Sequence, residues 1–107
     1  MQISQKGKTL YIELEGEIDH HSVRQMRQRI EAAFEPTDCR SIVFDFSRVT
    51  FMDSSGIGMI IGRYKNAVER GGSVAIAGMS TQVERIFQIS GLAKIIDSYA
   101  SMEEAKL

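Results

Sequence analysis

The chain has 107 residues, 43% apolar and 25% charged, with a formal net charge of −1. That is enough for one folded domain, spanning 1–107, and too little for two. The even charge balance excludes broad attraction to nucleic acid or to an anionic membrane, and the apolar runs are too short for a membrane span or a signal-peptide core. A single cysteine, Cys39, leaves neither an intramolecular disulfide nor a redox pair, and the chain reads as cytoplasmic.

Two strands open the chain, Ile3 to Lys6 and Thr9 to Gly16, joined by Gly7-Lys8. A glycine leading a two-residue connection predicts a type II′ hairpin, in which Ile3 faces Ile12 and Gln5 faces Leu10. Leu10, Ile12, Leu14 and Ile18 then share a buried face, and Tyr11, Glu13, Glu15, Glu17 and Asp19 the opposite, acidic one. Asp19 or Ser22 caps a first helix, in which Val23, Met26, Ile30, Ala33 and Phe34 recur at helical spacing. Pro36-Thr37-Asp38 ends it. Ser41 to Phe46 alternates as a strand, Ser47 to Thr50 reads as a loop, and Phe51 and Met52 anchor its return to the core.

The second helix is expected from Ser54 or Ser55 to Arg70, with a buried stripe of Ile57, Ile60, Ile61, Tyr64 and Val68. Gly71-Gly72 stops it. Val74 to Ala77 is a short strand. Ser80 or Thr81 begins a third helix, Thr81 and Glu84 having the spacing of a capping box, and Gly91-Leu92 ends it. Ala93 to Ile96 reads as a weak last strand and Ser98 to Ala105 as a short final helix. The alternation implies an α/β fold with a mostly parallel sheet of four to five strands, an antiparallel N-terminal strand and helices mainly on one face.

In such a sheet, functional groups gather at the carboxyl ends of the strands. Two junctions there carry polar residues: Asp19-His20-His21 after the second strand, and Asp53-Ser54-Ser55-Gly56 after the third. If those strands are neighbours, the loops lie side by side. The serine pair has two readings. It is an N-terminal cap, a feature that contributes about 1 kcal/mol, or it is a place where the helix N–H groups and dipole hold an anion such as a phosphoryl group. Gly56 and Gly58 in the first turn each cost about 1 kcal/mol relative to alanine, and Gly58 and Gly62 repeat at four-residue spacing that lets another backbone approach closely, so the glycines need a reason, such as tight packing or access by a partner. No phosphate-binding loop of the G-x-x-x-x-G-K-S/T kind and no G-x-S-x-G elbow occurs. The adjacent histidines lack zinc-site spacing, and no cofactor is indicated.

"GEIDHHS" (16–22), "FMDSSGIGMIIGRYK" (51–65) and "ISGLAKII" (89–96) together closely resemble the bacterial anti-sigma factor antagonists, which have the STAS fold, and in particular their sporulation branch in the sigma-F pathway. The likeness covers nearly the whole chain in the same order. It implies a switch without catalytic activity and without a metal or cofactor. The unphosphorylated form binds an anti-sigma factor that is also a serine protein kinase using ATP, and so releases the sigma factor. That kinase phosphorylates the first serine of D-S-S-G, Ser54, and a serine phosphatase reverses the change. The resemblance puts Glu17 and Asp19 in contact with the kinase, with His20 and Asp53 beside them. Ser55, Gly56 and Ile57 lie in the same interface, and Arg63 borders it. It implies no direct contact with nucleic acid or membrane, and a monomer when free. The alternatives are a STAS adaptor of a stress-response partner-switching pathway and a nucleotide-binding STAS module.

Overall fold

The opening hairpin forms in the register that the side-chain pattern dictates. β1 (Gln2–Lys6) runs antiparallel to β2 (Thr9–Ile18), with Ile3 opposite Ile12 and Gln5 opposite Leu10. Gly7 holds a φ of +61° while Lys8 does not turn left-handed, as a type II′ turn requires. The computed structural model describes residues 1–105. After the hairpin come α1 (Val23–Phe34), β3 (Ser41–Met52), α2 (Ser54–Glu69), β4 (Val74–Ala77), α3 (Thr81–Ile89), β5 (Asp97–Tyr99) and α4 (Met102–Ala105). The strands lie in the sheet in chain order, β1 to β5, and every pair after the first is parallel.

The alternation in β2 and β3 sorts the two faces of the sheet. Leu10, Ile12, Leu14 and Ile18, with Ile42, Phe44 and Phe46, point into one core, where they meet Ile30 and Phe34 of α1, Ile57 and Ile60 of α2 and Val83 and Phe87 of α3. The other face carries Glu13 opposite Asp45. It is covered only in part: α4 lies against β4 and β5, and Met102 shares a hollow with Glu13 and Asp45. Val43 and Ala77 on this side are buried but stand outside the main core cluster. Among the described residues no helix is long and apolar enough to cross a membrane.

Five local expectations are corrected. Residues 47–50 are not a loop. They continue β3, and two shifts of register against β2, between Glu13 and Glu15 and between Gly16 and Glu17, let twelve residues of β3 lie beside ten of β2. Bulges of this kind break the period of two, so the polar Ser47-Arg48 imitates a loop. Phe51 consequently faces outward, 47% exposed, instead of anchoring the core. The last strand is β5 at Asp97–Tyr99, not Ala93–Ile96: Leu92 to Lys94 form a 3-10 turn, and the buried pair Leu92 and Ile96 is spaced as one turn of helix, not as a strand. α4 is accordingly shorter than expected, beginning at Met102. Ser80 alone caps α3, accepting from the Val83 amide at 3.2 Å, and Thr81 is the first helical residue, so the two-way capping box is not formed.

The buried stripe of α2 is also rotated from expectation. Val68 is 49% exposed, and Arg63 and Ala67 face inward in its place. The helix ends as foreseen. Gly71 takes a φ of +77°, its amide bonds to the Val68 carbonyl at 2.9 Å, and the Gly72 amide bonds to the Ala67 carbonyl at 2.8 Å, the paired bonds of a Schellman motif. Arg70, the capping residue, donates to the carbonyls of Phe34, Thr37 and Cys39 at 3.2, 3.2 and 2.9 Å and lies over the Phe34 ring, tying the end of α2 to the end of α1. Gly72 passes so close to β3 that a methyl there would sit 1.8 Å from the Arg40 carbonyl oxygen, which is backbone and cannot give. Gly72→Ala is therefore expected to destabilise the fold by at least about 2 kcal/mol in urea unfolding, and an unchanged midpoint would contradict the close approach.

Candidate functional site

β2 and β3 are neighbours through to their carboxyl ends, where Ile18 pairs with Met52. The Asp53 amide then donates to the Ile18 carbonyl at 3.1 Å. This bond brings the Asp19 turn and the start of α2 side by side, as adjacency of the strands requires.

Each loop is closed by its own carboxylate. Asp19 Oδ1 accepts from the amides of His21 and Ser22 at 3.0 and 2.9 Å, and the Ser22 hydroxyl donates to the Glu17 carbonyl at 2.9 Å while accepting from the Asp19 amide at 3.0 Å. The bond from the Ser22 amide holds the Asp19 carboxyl below its ordinary value of 3.8. Asp53 is the N-cap of α2, its Oδ1 accepting from the Ser55 amide at 2.8 Å. Both carboxylates are therefore fixed by the backbone and face the same end of the sheet. The His20 and His21 rings lie 4.2 Å apart, both exposed on the first turn.

The two serines diverge. Ser54, the first residue of α2, is exposed, whereas Ser55 is half-buried and lines a groove between α1 and α2. Gly56 and Ile57 lie in the interior. Gly56 has a structural reason: a methyl there would meet Met52 Cγ at 2.4 Å and Ile18 Cγ2 at 2.9 Å, so the helix can rest on the strand ends only without a side chain. Glu17 is exposed and stands opposite Phe51 in the sheet register. Six of the expected residues thus gather at one surface: Glu17, Asp19, His20, Asp53, Ser54 and Ser55.

Arg63 is set apart from them, nine residues beyond Ser54 and about 13 Å further along the helix axis. It is the one buried charged side chain among the described residues, at 5% exposure. Its Nη2 donates to Glu31 Oε1 at 3.0 Å and its Nε to Asn66 Oδ1 at 3.1 Å. Burial pulls its pKa down, and the Glu31 carboxylate opposes that shift. Three residues after Ile60 and four before Ala67, it lies on the inward face of the helix. Phe51 was missed as a surface residue because the bulges that turn it outward leave no mark in the periodicity. Among the described residues no three His, Cys, Asp or Glu side chains are grouped to hold a metal.

An exposed hydroxyl at a capped helix start, flanked by fixed carboxylates on a half-open parallel sheet, defines a small α/β interaction module. The STAS domain family model matches residues 1–105, and the chain belongs to the STAS domain family. It is 39% identical over 90 residues to an anti-sigma F factor antagonist of Paenibacillus polymyxa, covering 84% of this chain and 77% of that one. The solved structure of the anti-sigma factor antagonist SpoIIAA in its unphosphorylated form superposes with a TM-score of 0.84 at 36% identity, covering 97% of this chain and 90% of the other. The Bacillus cell fate determinant SpoIIAA in its phosphorylated form gives 0.75 at 35% identity, covering 97% and 94%.

Two tests address the local architecture. Asp53→Ala should cost about 1 kcal/mol in urea unfolding and Asp53→Asn only a few tenths, because asparagine caps equally well; equal losses would mean that the carboxylate charge, not the cap, is what matters. Because the folded-state pKa of Asp19 is depressed, the stability of its turn is present above pH 3.8 and lost as pH falls below it. The Ser22 amide resonance should therefore titrate with a midpoint under 3.8, and a midpoint above that value would contradict the bond.

Proposed function

We propose that this chain is an anti-sigma factor antagonist, a non-catalytic cytoplasmic regulator whose unmodified form captures an anti-sigma factor that is also a serine kinase. Phosphorylation of Ser54 ends the capture, and a serine phosphatase restores it. The observation that carries the reading is the exposure of Ser54 at the first turn of α2, next to two carboxylates held by backbone amides. The similarity to SpoIIAA, a protein solved in both unphosphorylated and phosphorylated forms, supports a switch operated by phosphorylation.

The physics of the switch is local. The helix N-terminus favours an added anion, so the fold tolerates the phosphate. A phosphoserine brings roughly −1.5 to −2 charge at pH 7. Set beside Asp53 and near Glu17 and Asp19, it deepens a negative edge and adds bulk where the partner met a neutral hydroxyl. A loss of about 2–3 kcal/mol in binding corresponds to roughly 30- to 150-fold in affinity. In this reading Glu17, Asp19, His20, Asp53 and Ser55 make the direct contacts, while Gly56 and Ile57 act from beneath by setting the height of α2.

Incubation with a purified anti-sigma F factor and ATP, followed by mass mapping, should find one phosphate, on Ser54. Ser54→Ala should escape modification and keep its binding, and Ser54→Asp should fold and bind at least tenfold more weakly. Full phosphorylation of Ser54→Ala would overturn the assignment.

A further inference from the structure

Gly58 and Gly62 lie inside α2, where glycine is destabilising relative to alanine, and the packing of this chain does not require them. A methyl built at either position meets nothing within 4 Å, and neither has a positive φ. Gly56 on the same helix is explained by the strand ends beneath it, but these two are not. They stand one turn apart facing the groove between α1 and α2, a hollow of about 570 Å³ walled by Val23, Arg27 and Glu31 on one side and by Ser55 and Arg63 on the other.

The wall contains a second feature that folding leaves unused. Arg63, 5% exposed, donates through Nε and Nη2, but its Nη1 has no hydrogen-bond partner among the described residues. A single carboxylate oxygen, Glu31 Oε1, faces both Arg63 Nη2 at 3.0 Å and Arg27 Nε at 3.8 Å. Two guanidinium groups therefore share one carboxylate, and the groove is short of negative charge and of one acceptor.

We propose that this groove seats a helix of the anti-sigma partner, its backbone lying close over Gly58 and Gly62 and one of its acidic side chains pairing with the guanidinium groups of Arg27 and Arg63 that share Glu31. The inference rests on the function proposed above and extends that interface along α2, since Ser55 belongs to both the groove and the Ser54 surface. Missing side chains on one helix let a second approach closely, because interaxial distance is set by the residues at the crossing. A second copy of this chain fits poorly, since a two-fold contact would set the excess positive charge of one groove against that of the other.

Calorimetric titration of the unmodified protein with a purified anti-sigma F factor tests the proposal. Gly58→Ala and Gly62→Ala should raise the thermal midpoint, whereas Gly58→Leu and Gly62→Leu should stay folded by circular dichroism and bind at least thirtyfold more weakly. Arg63→Met should lose tenfold or more in affinity, and Arg85→Leu on exposed α3 should bind as the parent does. Undiminished affinity in both leucine variants overturns the groove assignment while leaving the Ser54 switch intact. If the unmodified parent fails to bind, both fall. A dimer of this chain in sedimentation that Gly62→Leu abolishes overturns the choice of occupant. Should a leucine variant unfold, the corresponding alanine variant decides: tighter folding with binding reduced severalfold supports the groove, and parental binding overturns it.

Discussion

The hydrogen bond from the Asp53 amide to the Ile18 carbonyl fixes the rest of the site. It is the last link between β2 and the segment leaving β3, and it continues the Ile18–Met52 pairing into the two turns and sets the spacing between them. The Asp19 carboxylate is spent on the backbone of one turn and the Asp53 carboxylate on the backbone of the other. For either to rotate away from a charge placed nearby, it must first give up those bonds. Gly56 completes the arrangement by letting α2 settle on Ile18 and Met52, which holds Ser54 outward at the rim.

Much of this was legible from residue order. Alternation in Leu10 to Ile18 fixed the face and register of the hairpin, and strand-helix alternation gave the parallel sheet and the adjacency of the two loops. The two polar junctions, Asp19-His20-His21 and Asp53-Ser54-Ser55, stand out at strand ends between apolar runs, and the structure sets them side by side. Three features were hidden. The bulges in β3 add residues without changing composition, so Ser47 to Thr50 resembled a loop and Phe51 a core anchor. Leu92 and Ile96 suit a strand or a helical turn equally, and a preceding left-handed glycine decided for the turn. In α2 a charged residue lies on the buried face, and a hydrophobicity pattern alone assigns that place to an apolar neighbour. Arg63 is bonded there by Asn66, three residues on in the same helix, and by Glu31 of α1, and only the second is a tertiary fact absent from the local sequence.

The two surfaces at the end of α2 carry opposite signs. The rim of Glu17, Asp19 and Asp53 is negative, while Arg27 and Arg63 outweigh Glu31 in the groove. A partner that satisfies both must present basic and acidic groups in a fixed order along one helix length, which selects orientation more than strength. Phosphate added at the rim changes only one of the two: it deepens the negative surface and leaves the charge of the groove as it was.

The order of the strands, identical in the sheet and in the chain, governs how the molecule is made as well as what it looks like. Every newly synthesised strand finds its neighbour already extruded, so no segment must wait for a distant complement or thread between two earlier ones. The parallel pairings still close long loops, with Thr9 opposite Ser41 and Ile42 opposite Val74, so each costs loop entropy before it is rewarded, and the hairpin is the local pairing from which the sheet can grow. The outermost addition, β5, comes last and pairs on one side only, which makes that margin of the sheet the natural place for the finished domain to open first.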